Sequence, residues 1–211
     1  MDRDEALARI AEIQRVMERA SLYTLLPGGA AVAGGLLVLA GCAVSYGMLG
    51  SLDFADLLRL PLPQQVGFCL LWLIVGVTGI AVELVLTART ARREGLSSGG
   101  RARRVALVSL SPSVVVAMLL TYKFLVPLEP RPAEVQYIVP LWMMLYGSGV
   151  FTVGQFSILA PRLLGLAFIA AGALTLLLFQ AYGLIAAALS FGLFHIAFGL
   201  YIIAMRRRGA P

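Results

Sequence analysis

Two ionisable side chains lie within otherwise apolar stretches of this 211-residue chain. Glu83 stands between Ile-Ala-Val and Leu-Val-Leu, and His195, the single histidine, follows Phe-Gly-Leu-Phe. A carboxylate is costly in lipid, and imidazole exchanges protons near neutral pH, so such residues inside a membrane are typical of ligand sites, ion paths and proton relays. Glu83 and His195 are therefore the first residues at which chemistry is expected.

Glu83 belongs to a stripe of small and polar residues. At helical spacing Gly76, Gly79, Thr87 and Thr90 share its face, while Leu, Val and Ile occupy the remaining faces. The stripe predicts that Glu83 faces the bundle interior or a water-filled cavity. Two interpretations stay open: a proton, cation or ligand site, or a buried ion pair or hydrogen-bonded hinge.

His195 is flanked at helical spacing by Ala188, Gly192 and Gly199, which predicts that it sits against another helix rather than against lipid. One interpretation is structural: a neutral imidazole that is hydrogen-bonded to a neighbouring helix would hold the two helices together. Proton relay or pH sensing is the functional alternative, because the unperturbed pKa of histidine lies near 6.5.

Two aromatic residues with polar atoms accompany them in a fourth apolar stretch. Trp142 and Tyr146 share a helical face, and with Glu83 and His195 they predict a mostly apolar pocket with a few convergent polar groups. That composition is usual for a small-ligand site. The same side chains also serve helix packing.

Other chemistry has no support in the sequence. It holds no Walker sequence, GxSxG, HExxH or glycine-rich phosphate loop, and Cys42 and Cys69 form no CxxC pair. A lone histidine lacks the partners of a metal site. We expect no metal, no cofactor and no enzymatic activity; a membrane-embedded enzyme is the alternative, although it lacks a nucleophile at recognisable spacing.

Six apolar stretches must position these residues. A bilayer core of about 30 Å requires about 20 helical residues, and 60% of the chain is hydrophobic. The sequence predicts an all-α, polytopic membrane helical bundle with six transmembrane helices. The expected spans are 27–50, 66–88, 105–126, 135–155, 163–180 and 183–205.

Basic residues fall at alternate gaps between these spans. All 17 except Arg59, Lys123 and Arg131 lie on one side, which the positive-inside bias makes cytoplasmic, together with both termini. Flanking arginines of this kind anchor to anionic headgroups, so nucleic-acid binding is not expected despite the net charge of +6. The expected surface anchors are Arg89, Arg92, Arg93, Arg101, Arg103 and Arg104. Docking of a cytoplasmic protein partner on this loop stays open.

Residues 1–22 are predicted to form an N-terminal amphipathic cytoplasmic helix, ahead of a transmembrane domain at 23–211. Asp2 and Glu5 fit a capping box, and Glu5 and Arg9 fit an i,i+4 ion pair. The apolar stripe of this helix should lie on the membrane or against the bundle. A two-chain coiled coil, and hence a homo-oligomer, is the alternative.

Three strings carry a family resemblance: LWMMLYG at 141–147, GQFS at 154–157 and FGLFHIAFG at 191–199. They resemble a family of small bacterial six-helix integral membrane proteins that has no assigned activity. Because such proteins are often encoded beside winged-helix transcription regulators, the resemblance implies an envelope-sensing or efflux context. The glycine-punctuated final helix pair is similar, more weakly, to six-helix acid-resistance membrane proteins of enteric bacteria.

These patterns favour a non-enzymatic membrane protein that binds a small apolar ligand, a lipid or a partner protein, as a sensor, scaffold or accessory subunit. Its candidate residues are Glu83, His195, Tyr146 and Trp142. The alternative is a small proton, cation or solute transporter or channel that uses Glu83 and His195, although the sequence holds no clear inverted repeat.

Overall fold

The computed structural model describes Glu5, Leu7, Arg9, Ile10, Glu12 and Ile13, and then residues 28–93, 100–126, 132–155 and 158–208. Every regular element in these ranges is helical. The long helices are α1 (Gly28–Leu49), α2 (Leu62–Arg93), α3 (Gly100–Leu125), α4 (Ile138–Gly154) and α5 (Leu159–Leu178). The last, α6, is continuous through Gly183–Ala187, a π-helical segment Ala188–Phe194, and His195–Arg207.

Five of these helices are long and apolar enough to cross a membrane, which confirms a helical membrane protein. They are Gly28–Leu49, Leu62–Thr90, Leu107–Leu125, Leu159–Leu178 and Gln180–Arg207. The fourth expected span appears as α4, an apolar helix of 17 residues. At 1.5 Å per residue it is about 25 Å long, which is near the lower limit for a transmembrane helix.

The helices pack unevenly. α4 and α5 form a close hairpin, and α4 also packs along α3; α1 packs against both α2 and α6. The first half of α6 reaches α4 and α5 and so joins the two groups. α2 packs chiefly on α1, which leaves much of its surface uncovered by the described chain.

Glycines set the closest contacts between helices. A Cβ added to Gly35 of α1 would lie 2.5 Å from the Gly192 carbonyl oxygen of α6. One added to Gly147 of α4 would lie 2.7 Å from the Gly165 carbonyl oxygen of α5. Small residues let backbones approach closely in lipid, where no hydrophobic force drives helices together. These contacts fix α6 against α1 and α5 against α4.

The turn from α4 into α5 is held by an arginine. The Arg162 Nε atom donates to the Gly154 carbonyl at 2.8 Å, and its Nη2 atom donates to the Gln155 carbonyl at 3.1 Å. Carbonyls at a helix C-terminus lack intrahelical partners and carry partial negative charge, so a guanidinium stabilises them. Arg162 thus caps α4 from the first turn of α5.

The segment between α1 and α2 covers one end of the bundle. A 3₁₀ helix, Phe54–Arg59, buries Leu57 with 1% of its surface exposed. The Gln136 amide Nε2 donates to Asp53 Oδ2 at 2.6 Å, and the Leu184 N–H donates to the Leu52 carbonyl at 3.1 Å. These bonds tie the segment to the starts of α4 and α6.

The predicted N-terminal helix lies mostly outside the described residues. Those that are described are helical, and Arg9 Nη2 pairs with Glu5 Oε1 at 2.9 Å, which confirms the expected i,i+4 pair. Leu7, Ile10 and Ile13 are exposed. At three-residue spacing these apolar side chains share one helical face.

Candidate functional site

Tyr146 of α4 and His195 of α6 are joined by a hydrogen bond. The tyrosine hydroxyl and the histidine Nε2 atom lie 2.8 Å apart, near the middle of both helices. His195 therefore sits against another helix, as predicted. Gly192 and Gly199, which were expected on its face, instead contact α1.

A change in helical geometry alters the position of Gly192 relative to His195, whereas Gly199 follows His195 in regular α-helix. Residues Ala188–Phe194 form a π-helix, whose wider turn shifts the angular positions of residues around the helix axis. Phe191 and His195 consequently stack, with ring centroids 6.3 Å apart and planes inclined by 15°. Short π-helical segments recur at functional sites, and this one ends immediately before the single histidine.

The Tyr146–His195 bond lies within an aromatic cluster formed by Tyr146, Phe168, Phe191, Phe194 and His195. Phe168 of α5 is at its centre and is completely buried. Its ring lies 5.0 Å from that of Tyr146 and 5.3 Å from that of His195, both edge-on. Edge-to-face contacts of this kind add to the stabilisation from burial, so the cluster holds both polar side chains in place.

The other ring nitrogen of His195 has no partner. Its Nδ1 atom is buried and makes no hydrogen bond within the part of the chain that the structure describes; the carbonyls of Ser190 and Phe191 are near, but outside bonding geometry. Carbonyl oxygens interact favourably only with an N–H group, so they favour a proton on Nδ1, which leaves Nε2 to accept the hydrogen of the Tyr146 hydroxyl.

Glu83 is the acidic group whose charge acts on Tyr146. The two interact electrostatically, and the Thr87 hydroxyl donates to Glu83 Oε1 at 3.3 Å. Glu83 forms no ion pair with any residue in the described ranges, and its side chain is exposed. Glu83 therefore does not face the bundle interior, because α2 packs chiefly on α1; the water-filled cavity, which was the other expected setting, stays a prediction.

The face of α2 around Glu83 leaves room for a ligand. A Cβ added to Gly76 or Gly79 would meet nothing within 4 Å. We call the open space beside α2 at Gly76, Gly79 and Glu83 the Glu83 cleft.

Trp142 is directed elsewhere. Its Nε1 atom donates to the Thr121 hydroxyl of α3 at 2.8 Å, and Thr121 in turn donates to the Ala117 carbonyl. Trp142 therefore links α4 to α3, whereas Tyr146, one turn later, links α4 to α6. Of the four predicted site residues, the structure brings Tyr146 and His195 into contact, whereas Trp142 bonds to α3 and Glu83 bonds to Thr87 of its own helix.

Phe168 and Phe191 belong to the site but were not predicted from the sequence. Both are among ten phenylalanines in an apolar chain, and no polar neighbour distinguishes them.

Among the expected surface anchors, Arg89, Arg92 and Arg104 are exposed. The side chains of Arg93, Arg101 and Arg103 lie outside the described residues. No metal-binding group of His, Cys, Asp and Glu side chains occurs in the described part of the chain.

No protein-family model, curated protein or solved structure matches this chain. The resemblance to small six-helix membrane proteins therefore stays a prediction. A function for the chain has to be inferred from the geometry of the described residues.

Proposed function

We propose that this chain is a polytopic protein of the bacterial inner membrane that crosses the bilayer six times, with both termini in the cytoplasm. α4 is the fourth of the six spans along the chain, since an apolar helix of 17 residues falls within the range of transmembrane helices. The alternation of arginine-rich and arginine-poor connections supports the orientation. His195 and Tyr146 then lie near mid-membrane, and Glu83 lies nearer the cytoplasmic side.

Within this topology the protein binds a small, largely apolar molecule in the Glu83 cleft and acts as a sensor or accessory subunit rather than as an enzyme. The observation that carries this proposal is the fixed Tyr146–His195 pair beside an uncovered carboxylate. A polar group placed in lipid without a partner is costly, so it is usually retained for a functional reason. Apolar walls with a few convergent polar groups are the usual composition of a small-ligand site.

Photolabelling in membranes tests this proposal. An uncharged aryl diazirine should label Glu83 and Tyr146 in a saturable manner. Gly79→Leu fills the cleft from α2 without a clash and should abolish the saturable labelling. Gly34→Leu is the matched control, because a side chain there also meets open space, but on α1. Equal labelling of both variants and the wild type would contradict a site in the cleft.

Proton or cation transport is the second candidate. It is favoured by the serial arrangement of Glu83, Tyr146 and His195, in which one hydroxyl interacts with an acid and a base. Reconstituted vesicles with an internal pH dye test it: a proton flux that is lost in Glu83→Gln favours transport over binding. Unchanged flux in that variant removes Glu83 from any transport role.

A further inference from the structure

We propose that the molecule bound in the Glu83 cleft is a lipophilic cation, held by the Glu83 carboxylate. This rests on the proposed function and deepens it by assigning the charge of the ligand. Three features of the described residues support it: the unpaired state of Glu83, the charges around it and the space beside it.

The Glu83 carboxylate is poorly satisfied by the protein itself. Thr87 donates to Oε1, and no residue of the described ranges donates to Oε2. An ionised carboxylate in an apolar environment is stabilised only by a close partner charge or by several hydrogen bonds, and without them it takes up a proton. One hydroxyl at 3.3 Å supplies little of this, so a bound cation is the partner that would keep Glu83 ionised.

The protein charges that face the site do not supply that cation. Along α2 the nearest basic residue is Arg89, six residues or about 9 Å further towards the helix end. From α4 and α6 the groups that approach are the neutral phenol of Tyr146 and, behind it, the imidazole of His195. Within the described part of the bundle no lysine or arginine neutralises Glu83, so a bound anion would be repelled and a cation attracted.

The space beside the carboxylate sets the size and shape of the cation. Gly79 lies about one turn before Glu83 along the helix and Gly76 about two turns before it, and both leave room beside the carboxylate. The neighbouring surface of α2 is apolar, with Ile80 62% exposed. A ligand that joins a positive centre to bulky apolar groups matches this surface, whereas a small hydrated metal ion would leave the apolar part unused.

Equilibrium dialysis with two ions of nearly equal size and opposite charge tests the proposal. Protein in zwitterionic nanodiscs should bind tetraphenylphosphonium saturably, with one site per chain, and should not bind tetraphenylborate at that site. Glu83→Gln should weaken tetraphenylphosphonium binding at least tenfold, and Glu83→Asp should retain most of it. Glu5→Gln removes one negative charge outside the spans and should leave binding unchanged.

Equal binding of both ions, or unchanged binding in Glu83→Gln, would overturn the proposal. If Glu83→Gln does not fold, Gly79→Leu tests the site without altering its charge and should also abolish binding. Saturable labelling of the cleft by the uncharged diazirine, without tetraphenylphosphonium binding, would refute the cation but leave the binding site standing. Failure of both probes would refute the proposed function itself.

Discussion

The hydrogen bond between Tyr146 and His195 is the residue-scale feature on which the site depends. It connects α4 to α6 inside a cluster of rings whose centre, Phe168, is inaccessible. Such bonds between membrane helices contribute modestly, because polar groups also find partners in the unfolded protein within the membrane. Their larger effect here is to fix the Tyr146 hydroxyl and the His195 ring relative to each other.

A double-mutant cycle measures this bond. Tyr146→Phe and His195→Phe each keep an aromatic ring in the cluster and remove one partner. We expect each to lower the free energy of unfolding, and we expect a coupling energy of about 0.5–1.5 kcal/mol between them. Denaturation in mild detergent supplies the four values. Strict additivity would show that the 2.8 Å contact contributes nothing beyond ring packing.

At this scale the sequence identified the polar residues but not all of their partners. Glu83 and His195 stand out because charge and imidazole are rare in apolar helices. Trp142 was grouped with Tyr146 because residues four apart on a helix share a face. α4, however, contacts α3 and α6 at once, and its two aromatic donors bond to different neighbours. A spacing rule defines a face, and the fold decides which helix that face meets.

At the scale of elements, two devices position the site: the glycine contacts between α1 and α6, and the π-helical segment. The glycines bring α6 close to α1, and the π segment ends immediately before His195, which bonds to Tyr146 of α4. The six expected spans correspond to six helices, although α2 and α3 extend beyond the apolar stretches. Hydropathy detects only the apolar part of a helix, and backbone hydrogen bonding continues through polar residues. The π segment was not predictable, because α and π turns have similar residue preferences.

Matched alanine substitutions test the α1–α6 contact. In Gly35→Ala the new methyl group would lie 2.5 Å from the Gly192 oxygen and 2.7 Å from Ile196 Cγ1, so the helices must separate. We expect the free energy of unfolding to fall by about 1–3 kcal/mol, as for overpacked cores. Gly34→Ala, which meets nothing within 4 Å, should instead stabilise by about 0.5–1 kcal/mol. Similar effects of the two changes would argue against this interface.

At the scale of the whole molecule, α2 lies at the edge of the bundle and the other described helices do not enclose its Glu83 face. The sequence could not predict that this face is uncovered. A stripe of small and polar residues indicates only that a helix face does not contact lipid, and it does not distinguish another helix from a ligand or water. The capping segment around Leu57 closes one end of the bundle. Access to the cleft is therefore from the side, along the membrane, which suits an apolar ligand.

Cysteine labelling from outside the cell tests the proposed orientation of the chain in the membrane. In a Cys42→Ala, Cys69→Ala background, Arg59→Cys places a thiol in the capping segment, and Arg207→Cys places one at the end of α6. Both parent arginines are exposed. In intact bacterial cells a membrane-impermeant maleimide should label the first and leave the second unlabelled until the membrane is opened. The reverse pattern would invert the proposed topology.

Native mass spectrometry of protein released from gently extracted membranes tests the central claim most directly, because one spectrum reports both subunit count and retained small molecules. For the wild type and Gly34→Leu we predict a reproducible non-lipid adduct of constant mass on each chain. Gly79→Leu should lose it while keeping its thermal stability, because a Cβ atom at this position meets nothing within 4 Å. Wild-type protein without such an adduct, or an adduct that Gly79→Leu retains in full, would contradict ligand binding in the Glu83 cleft.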